Sequence, residues 1–133
     1  MTKDYVAGLF DGEGCIRLQR HSRIGNYSLH VTLTNVHKPV LDELQRRYDG
    51  RVSRKDSRSH VYQWTLTCKN AAWFIRDIGP RLIIKRDQYE VAVRYLNLRD
   101  ENPYIRVGSP THRTFSKMFR ELKRLKRPWL EAA

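Results

Sequence analysis

The stretch VAGLFDGEG, residues 6–14, ends a short apolar run with two carboxylates, Asp11 and Glu13, set among three glycines. Periodicity predicts a short helix from Lys3 to Asp11, which places both acids at its C-terminal end. Exposed carbonyls give that end partial negative charge, so an acidic side chain there costs about 0.3–1 kcal/mol. One reading is plain: Gly12 and Gly14 terminate the helix and the acids are hydrated in the turn. The other is that a cation sits between the acids and something negative.

The residues that follow bear on that choice. Residues 15–23, CIRLQRHSR, alternate Ile16 and Leu18 with Arg17, Gln19 and His21, the period of a half-buried strand. RIGN (23–26) supplies a turn, and YSLHVTLTNV (27–36) alternates again, with Leu29, Val31 and Leu33 on one face and Ser28, His30, Thr32 and Thr34 on the other. Pro39 suits the first turn of a helix whose apolar positions, Val40, Leu41, Leu44 and Tyr48, run until Asp49-Gly50. A second hairpin follows from GRVSRK (50–55), DSRS (56–59) and HVYQWTLTC (60–68). A bulge between Val61 and Leu66 would turn Tyr62 and Trp64 over, so the register of 60–67 stays open. Helices are expected over about 69–78, closed by Gly79-Pro80, and over about 81–97.

The order helix, hairpin, helix, hairpin, helix, helix predicts an α+β fold: one antiparallel sheet with its helices on a single face. The opposite face is left polar and basic. A looser segment, 98–110, leads to a last helix, 111–127, where Phe115, Met118, Phe119, Leu122 and Leu125 form a stripe. Its Arg113, Lys117, Arg120, Lys123, Arg124, Lys126 and Arg127 face Glu121 as the one acid, an imbalance that suits phosphate contact as well as plain solvation. The 133 residues are expected to form one domain, and the carboxylate motif occurs once.

Charge narrows the function. Twenty-six Lys and Arg against 14 Asp and Glu give +12, beyond what solubility asks for, and point to a polyanionic partner. No run approaches the ~20 apolar residues of a membrane span, and MTKDYVAG lacks the apolar core of a signal peptide, so a soluble intracellular protein is expected. Cys15 and Cys68 have no metal-ligand spacing and read as reduced core thiols. Glu13 directly precedes the first strand of the basic sheet, where a bare carboxylate would repel phosphate. A hard divalent cation such as Mg²⁺, which takes oxygen ligands and keeps water, would reconcile the two. Ala7 and Gly8 leave one helix face nearly bare, and a two-fold dimer would pair two such helices and bring two Glu13 carboxylates together.

These residues carry a family resemblance. VAGLFDGEG is similar to the LAGLIDADG motif of homing endonucleases, with Val6 for Leu, Phe10 for Ile, Gly12 for Ala and Glu13 for the second Asp. The element order over residues 4 to about 97 resembles that family's αββαββα core, and the basic helix 111–127 is an extension outside it. The resemblance implies a site-specific double-strand DNA endonuclease that hydrolyses phosphodiester bonds with Mg²⁺ or another divalent cation such as Mn²⁺. A single motif copy looks like the homodimeric branch, which acts on a long pseudo-palindromic site. It also implies roles for individual residues. Glu13 and the Gly12 carbonyl would bind metal, His37 would order solvent, and Lys85 in RLIIKRDQ would sit near the scissile phosphate. Asp11, with Ala7 and Gly8, would hold the dimer or the helix end rather than metal. Val40 and Leu41 stand where a second basic residue can occur in the family, so that role is unassigned.

A two-stranded ribbon fits the major groove, where Arg pairs with guanine and Gln with adenine. The outward positions proposed for DNA contact are Arg17, Gln19, His21, Arg23, Ser28, His30, Thr32 and Thr34 in the first hairpin. In the second they are Arg51, Ser53, Lys55 and Gln63. Two other classes remain: an RNA splicing maturase on the same basic surface, and a DNA-binding regulator without catalysis.

Overall fold

The chain is described by a computed structural model covering residues 1–21 and 25–130. Thr2 opens helix α1 (Lys3–Glu13) by accepting the Tyr5 amide at 3.1 Å on its hydroxyl, the side-chain cap that satisfies one orphan donor of the first turn. Strand β1 (Gly14–Arg20) follows without a linker. A Cβ on Gly14 would stand 2.1 Å from the Phe10 ring, so only glycine lets the chain leave the helix this tightly.

Strand β2 (Tyr27–Asn35), helix α2 (Lys38–Tyr48), strands β3 (Arg51–Arg54) and β4 (Tyr62–Thr67) and helix α3 (Cys68–Ile78) follow in turn. Asp49 (φ 64°) and Gly50 (φ 92°) end α2 in the left-handed region, and at Gly50 a Cβ would meet the Thr65 carbonyl at 2.6 Å. Among the described residues the strands form one antiparallel sheet in the order β1-β2-β4-β3.

Alternation along this sheet separates two faces. Ile16, Leu18, Tyr27, Leu29, Val31, Leu33, Trp64 and Leu66 are buried and meet Val6, Phe10, Leu41, Leu44, Phe74 and Ile75 from the helices. The register of β4 is regular: Leu33 opposes Trp64 and Thr34 opposes Gln63, so no bulge intervenes. Trp64 is fully buried, stacked edge-on against Phe74, and its indole N–H donates to the Asp49 carbonyl at 2.8 Å.

Two expectations change. The helix anticipated over 81–97 is instead a 3-10 turn at Gly79–Arg81, an irregular segment, and helix α4 at Arg86–Glu101. The Asp11 carboxylate takes the amides of Ile83 and Lys85, which draws that segment away from helical bonding. The cysteines are free, but neither is a core thiol: Cys15 lies opposite Thr32 on the polar face, half-buried, and Cys68 is exposed.

Helix α5 (Pro110–Leu125) is capped by Ser109, whose hydroxyl accepts the His112 amide at 3.2 Å. It buries Phe115, Met118 and Leu122 in the same core as the sheet. His112, absent from the expected stripe, is buried too and bonds through its ring to the Gly25 carbonyl and the Gly108 amide.

Trp64→Ala is expected to lower unfolding free energy by about 3–5 kcal/mol, read as a shifted urea midpoint, because it removes a fully buried ring and its hydrogen bond together.

Candidate functional site

The C-terminal end of α1 gathers the residues that the sequence singled out. Asp11 is buried, with its Oδ2 accepting from the Ile83 amide at 2.8 Å and its Oδ1 from the Lys85 amide at 3.1 Å. Its own backbone carbonyl accepts from the Lys85 ammonium at 2.7 Å. No basic residue occupies the last turn of α1 itself. Lys85, seventy-four residues on, supplies the cation that a helix C-terminus favours.

Glu13 points the other way, exposed to solvent beside the start of β1. Asn35, the last residue of β2, donates its amide Nδ2 to Glu13 Oε2 at 2.6 Å and accepts the His37 backbone N–H on Oδ1 at 2.8 Å. With both ends engaged, this amide has one orientation, and it holds the carboxylate in place. His37 caps α2 with an exposed ring that makes no cap hydrogen bond. Asn35 was missed in the sequence. The signal was its parity, since it continues the Leu29, Val31, Leu33 series of core-facing positions with a polar amide.

Among the described residues no three His, Cys, Asp or Glu side chains converge into a metal cage. What this chain offers is one exposed carboxylate, Glu13, and the backbone carbonyl of Gly12 beside it. These are hard oxygen donors, the kind that Mg²⁺ takes in ones and twos while the rest of its shell is water and phosphate. The donor set fits such a cation and not a closed structural site.

The residues grouped for a bare helix face divide. Ala7 and Asp11 turn inward and are buried, on the same side as Phe10. Gly8 and Gly12 are exposed, and a Cβ on either would meet nothing within 4 Å. The bare stripe is therefore set by the four-residue helical spacing of Gly8 and Gly12, continued by exposed Tyr5, rather than by the adjacent pair Ala7 and Gly8.

The outward sheet face carries the proposed contact residues together. Arg17 opposes His30, Gln19 opposes Ser28, Thr34 opposes Gln63, Ser53 also opposes Gln63, and Arg51 opposes Thr65. Thr32 lies between Cys15 and Thr65, and Lys55, just past β3, pairs its amide with the Val61 carbonyl at 2.9 Å. His21, just past β1, bonds through Nε2 to the Ser28 hydroxyl at 2.8 Å. Arg23 lies outside the described residues. Thr65 and Thr67 share this face and were overlooked because the register of 60–67 was open.

Partial burial pushes the His30 pKa below 6.5, helped by the charge of Arg17 and by His21. Its ring is therefore neutral at neutral pH and bonds the Ser28 hydroxyl at 3.1 Å.

In sequence, residues 2–79 match the family described as LAGLIDADG-like domain. No curated protein matches the chain. In structure the chain is similar to an archaeal intron-encoded homing endonuclease, I-Vdi141I, complexed with DNA, at 16% identity over 92% of this chain and 82% of that one, TM-score 0.77. It is similar to a homing endonuclease, I-TnaI, at 17% identity over 100% and 99% of the two chains, TM-score 0.74. A third similar fold is the homing endonuclease I-CvuI in complex with its target in the presence of 2 mM Ca, at 13% identity over 92% and 80%, TM-score 0.74.

Asp11→Ala should cost about 2–3 kcal/mol in urea unfolding, since it strands two partly buried amides at once. An NMR titration of His30 should give a midpoint below 6.5. Between 6.5 and that midpoint the unfolded chain binds more protons at this site than the folded one, so this contribution to stability is lost as pH falls. His30→Gln should remove that part of the acid sensitivity.

Proposed function

The chain belongs to the LAGLIDADG-like domain family, and on that premise we propose that it is a site-specific, divalent-metal-dependent double-strand DNA endonuclease working as a homodimer. One observation carries the reading. Glu13, tethered by Asn35, and Lys85, tethered to Asp11, are held at the same end of α1, where the helix runs directly into β1 of the basic sheet. A carboxylate held beside a surface of Arg, Lys, His and Thr is unfavourable for phosphate binding unless a cation accompanies it.

Glu13 and the Gly12 carbonyl are the residues that would hold the cation. When bound, it supplies an activated water and neutralises charge on the phosphodiester. The remaining work falls to the chain's own groups. Asn35 keeps the Glu13 carboxylate in one position. Lys85 adds positive charge where negative charge grows on the phosphate, an interaction strongest in a site already organised for it. The exposed His37 ring, anchored through its backbone to Asn35, orders solvent on the same side. Arg17, Gln19, His21, Ser28, His30, Thr32, Thr34, Arg51, Ser53, Lys55 and Gln63 read or grip the duplex from the sheet, and Arg23 belongs to the same proposed set.

The homodimer rests on the single motif and on the Gly8–Gly12 stripe, which lets a second copy of α1 approach closely. Two-fold pairing would bring two Glu13 carboxylates to two strands. Its place in the cell would be wherever its DNA target is kept; no helix among the described residues is long and apolar enough to cross a membrane.

The test is to incubate the protein with a randomised duplex library, in Mg²⁺ or in EDTA, and to sequence the ends. Recurrent Mg²⁺-dependent breaks at one near-palindromic site are expected. Selective retention without breaks would mean a regulator, and preference for structured RNA over duplex a maturase. Glu13→Gln should reduce cleavage to background while leaving duplex affinity intact. Asn35→Ala should slow cleavage by about 10–100-fold, the usual cost of losing a group that orients a ligand.

A further inference from the structure

Helix α5 lies outside the residues that match the family, and its cations have no part in the site described above. We propose that the cleft between α5 and the edge strand β1 is a second nucleic-acid contact, one that grips the phosphate backbone of the duplex whose bases face the sheet. This rests on the reading of duplex DNA as the partner.

The geometry comes from two contacts. Ser116, just before the middle of α5, meets the Tyr27 hydroxyl at 3.0 Å, and Tyr27 pairs with Arg20 at the far end of β1. Lys126, the C-cap just past α5, reaches Cys15 at the near end of β1, with Nζ 3.5 Å from Sγ. Helix and strand therefore run antiparallel, side by side. Ten residues of helix at about 1.5 Å each match five of strand at about 3.3 Å, so α5 flanks β1 over most of its length.

The cleft between them is lined by Arg17 and Gln19 from the outward sheet face, by Lys123 of α5 and by Lys126 and Arg127 just past its end, over a floor that includes Leu18 and Leu122. Arg17 and Gln19 belong to both surfaces, so the cleft is continuous with the sheet. No Asp or Glu lines it among the described residues. Glu121, the acid of this helix, is turned toward α4 and paired with Arg94 at 3.0 Å. The apolar floor is already covered by core packing, which leaves little for a lipid tail or an apolar peptide to occupy. Several cations held together in free protein are relieved by a polyanion. Burial is what chiefly pushes the Lys126 pKa down; Cys15 opposes it, and Arg17 and Lys123 add smaller contributions. A row of phosphates answers this arrangement better than a single anion does, because the cations line the strand instead of converging on a point.

Counterion release gives a direct readout, since each phosphate contact adds about 0.9 to the steepness of log Kobs against log salt. The double variant Lys123→Gln with Arg127→Gln removes two cations of the cleft. On a duplex of fixed length, in EDTA, the slope should flatten by up to about 1.8 relative to wild type, with an unchanged melting temperature. Arg113→Gln with Lys117→Gln removes the same charge from the same helix outside the cleft, and its slope should change less. Equal slopes for wild type and the cleft variant would overturn the proposal, and so would equal flattening by the two pairs. A flattened slope on RNA with none on DNA would also overturn it. If wild type shows no salt-steep duplex binding at all, the DNA reading itself fails, an outcome distinct from failure of the cleft alone.

Discussion

The disposal of negative charge at the end of α1 is the constraint on which the other elements depend. Asp11 and Glu13 share the last turn with exposed carbonyls, and the chain treats them in opposite ways. Asp11 is buried and spent on backbone amides of the segment before α4, which also delivers the Lys85 ammonium to the helix end. Glu13 is left in solvent with one amide, Asn35, to hold it. One acid thus organises the fold, and the other stays available. The unwound segment at Leu82–Lys85 follows from the first of these choices, and the proposed chemistry from the second.

The sheet shows a comparable division of labour. Its inner face is a continuous apolar layer ending at Trp64 and Leu66, and its outer face is a field of Arg, His, Gln, Ser and Thr with few apolar interruptions. Strand parity keeps the two apart, so a slip of one residue would exchange them. The buried Trp64, anchored at its indole nitrogen, resists that slip. The neutral His30 within the outer face fits a surface that bears hydrogen-bonding groups among its charges, as base edges require.

Helix α5 serves two purposes through two faces. Phe115, Met118 and Leu122 make it part of the core, so its truncation would expose the sheet as well as remove charge. Its basic side borders β1 and widens the positive surface past the sheet edge. Covering that edge also protects β1 from pairing with another chain.

Much of this was legible in the amino-acid order. Alternation marked the strands, three- and four-residue spacing marked the helices, and the excess of Lys and Arg points to the polyanionic partner proposed above. Those signals survive because they are local or additive: side chains two apart on a strand share a face whatever else the chain does. Tertiary structure decided what depends on distant segments meeting. No local pattern tells that Asp11 will capture amides at Ile83 and Lys85, that Asn35 will reach Glu13 across the end of the core, or that Lys126 will close on Cys15. Nor could adjacency in the sequence show that Ala7 faces the core while Gly8 faces solvent, because a 100° step on a helix is read only once its packed side is known. Local periodicity determined the elements and their faces, and long-range packing chose which polar groups were satisfied and which were left free to act.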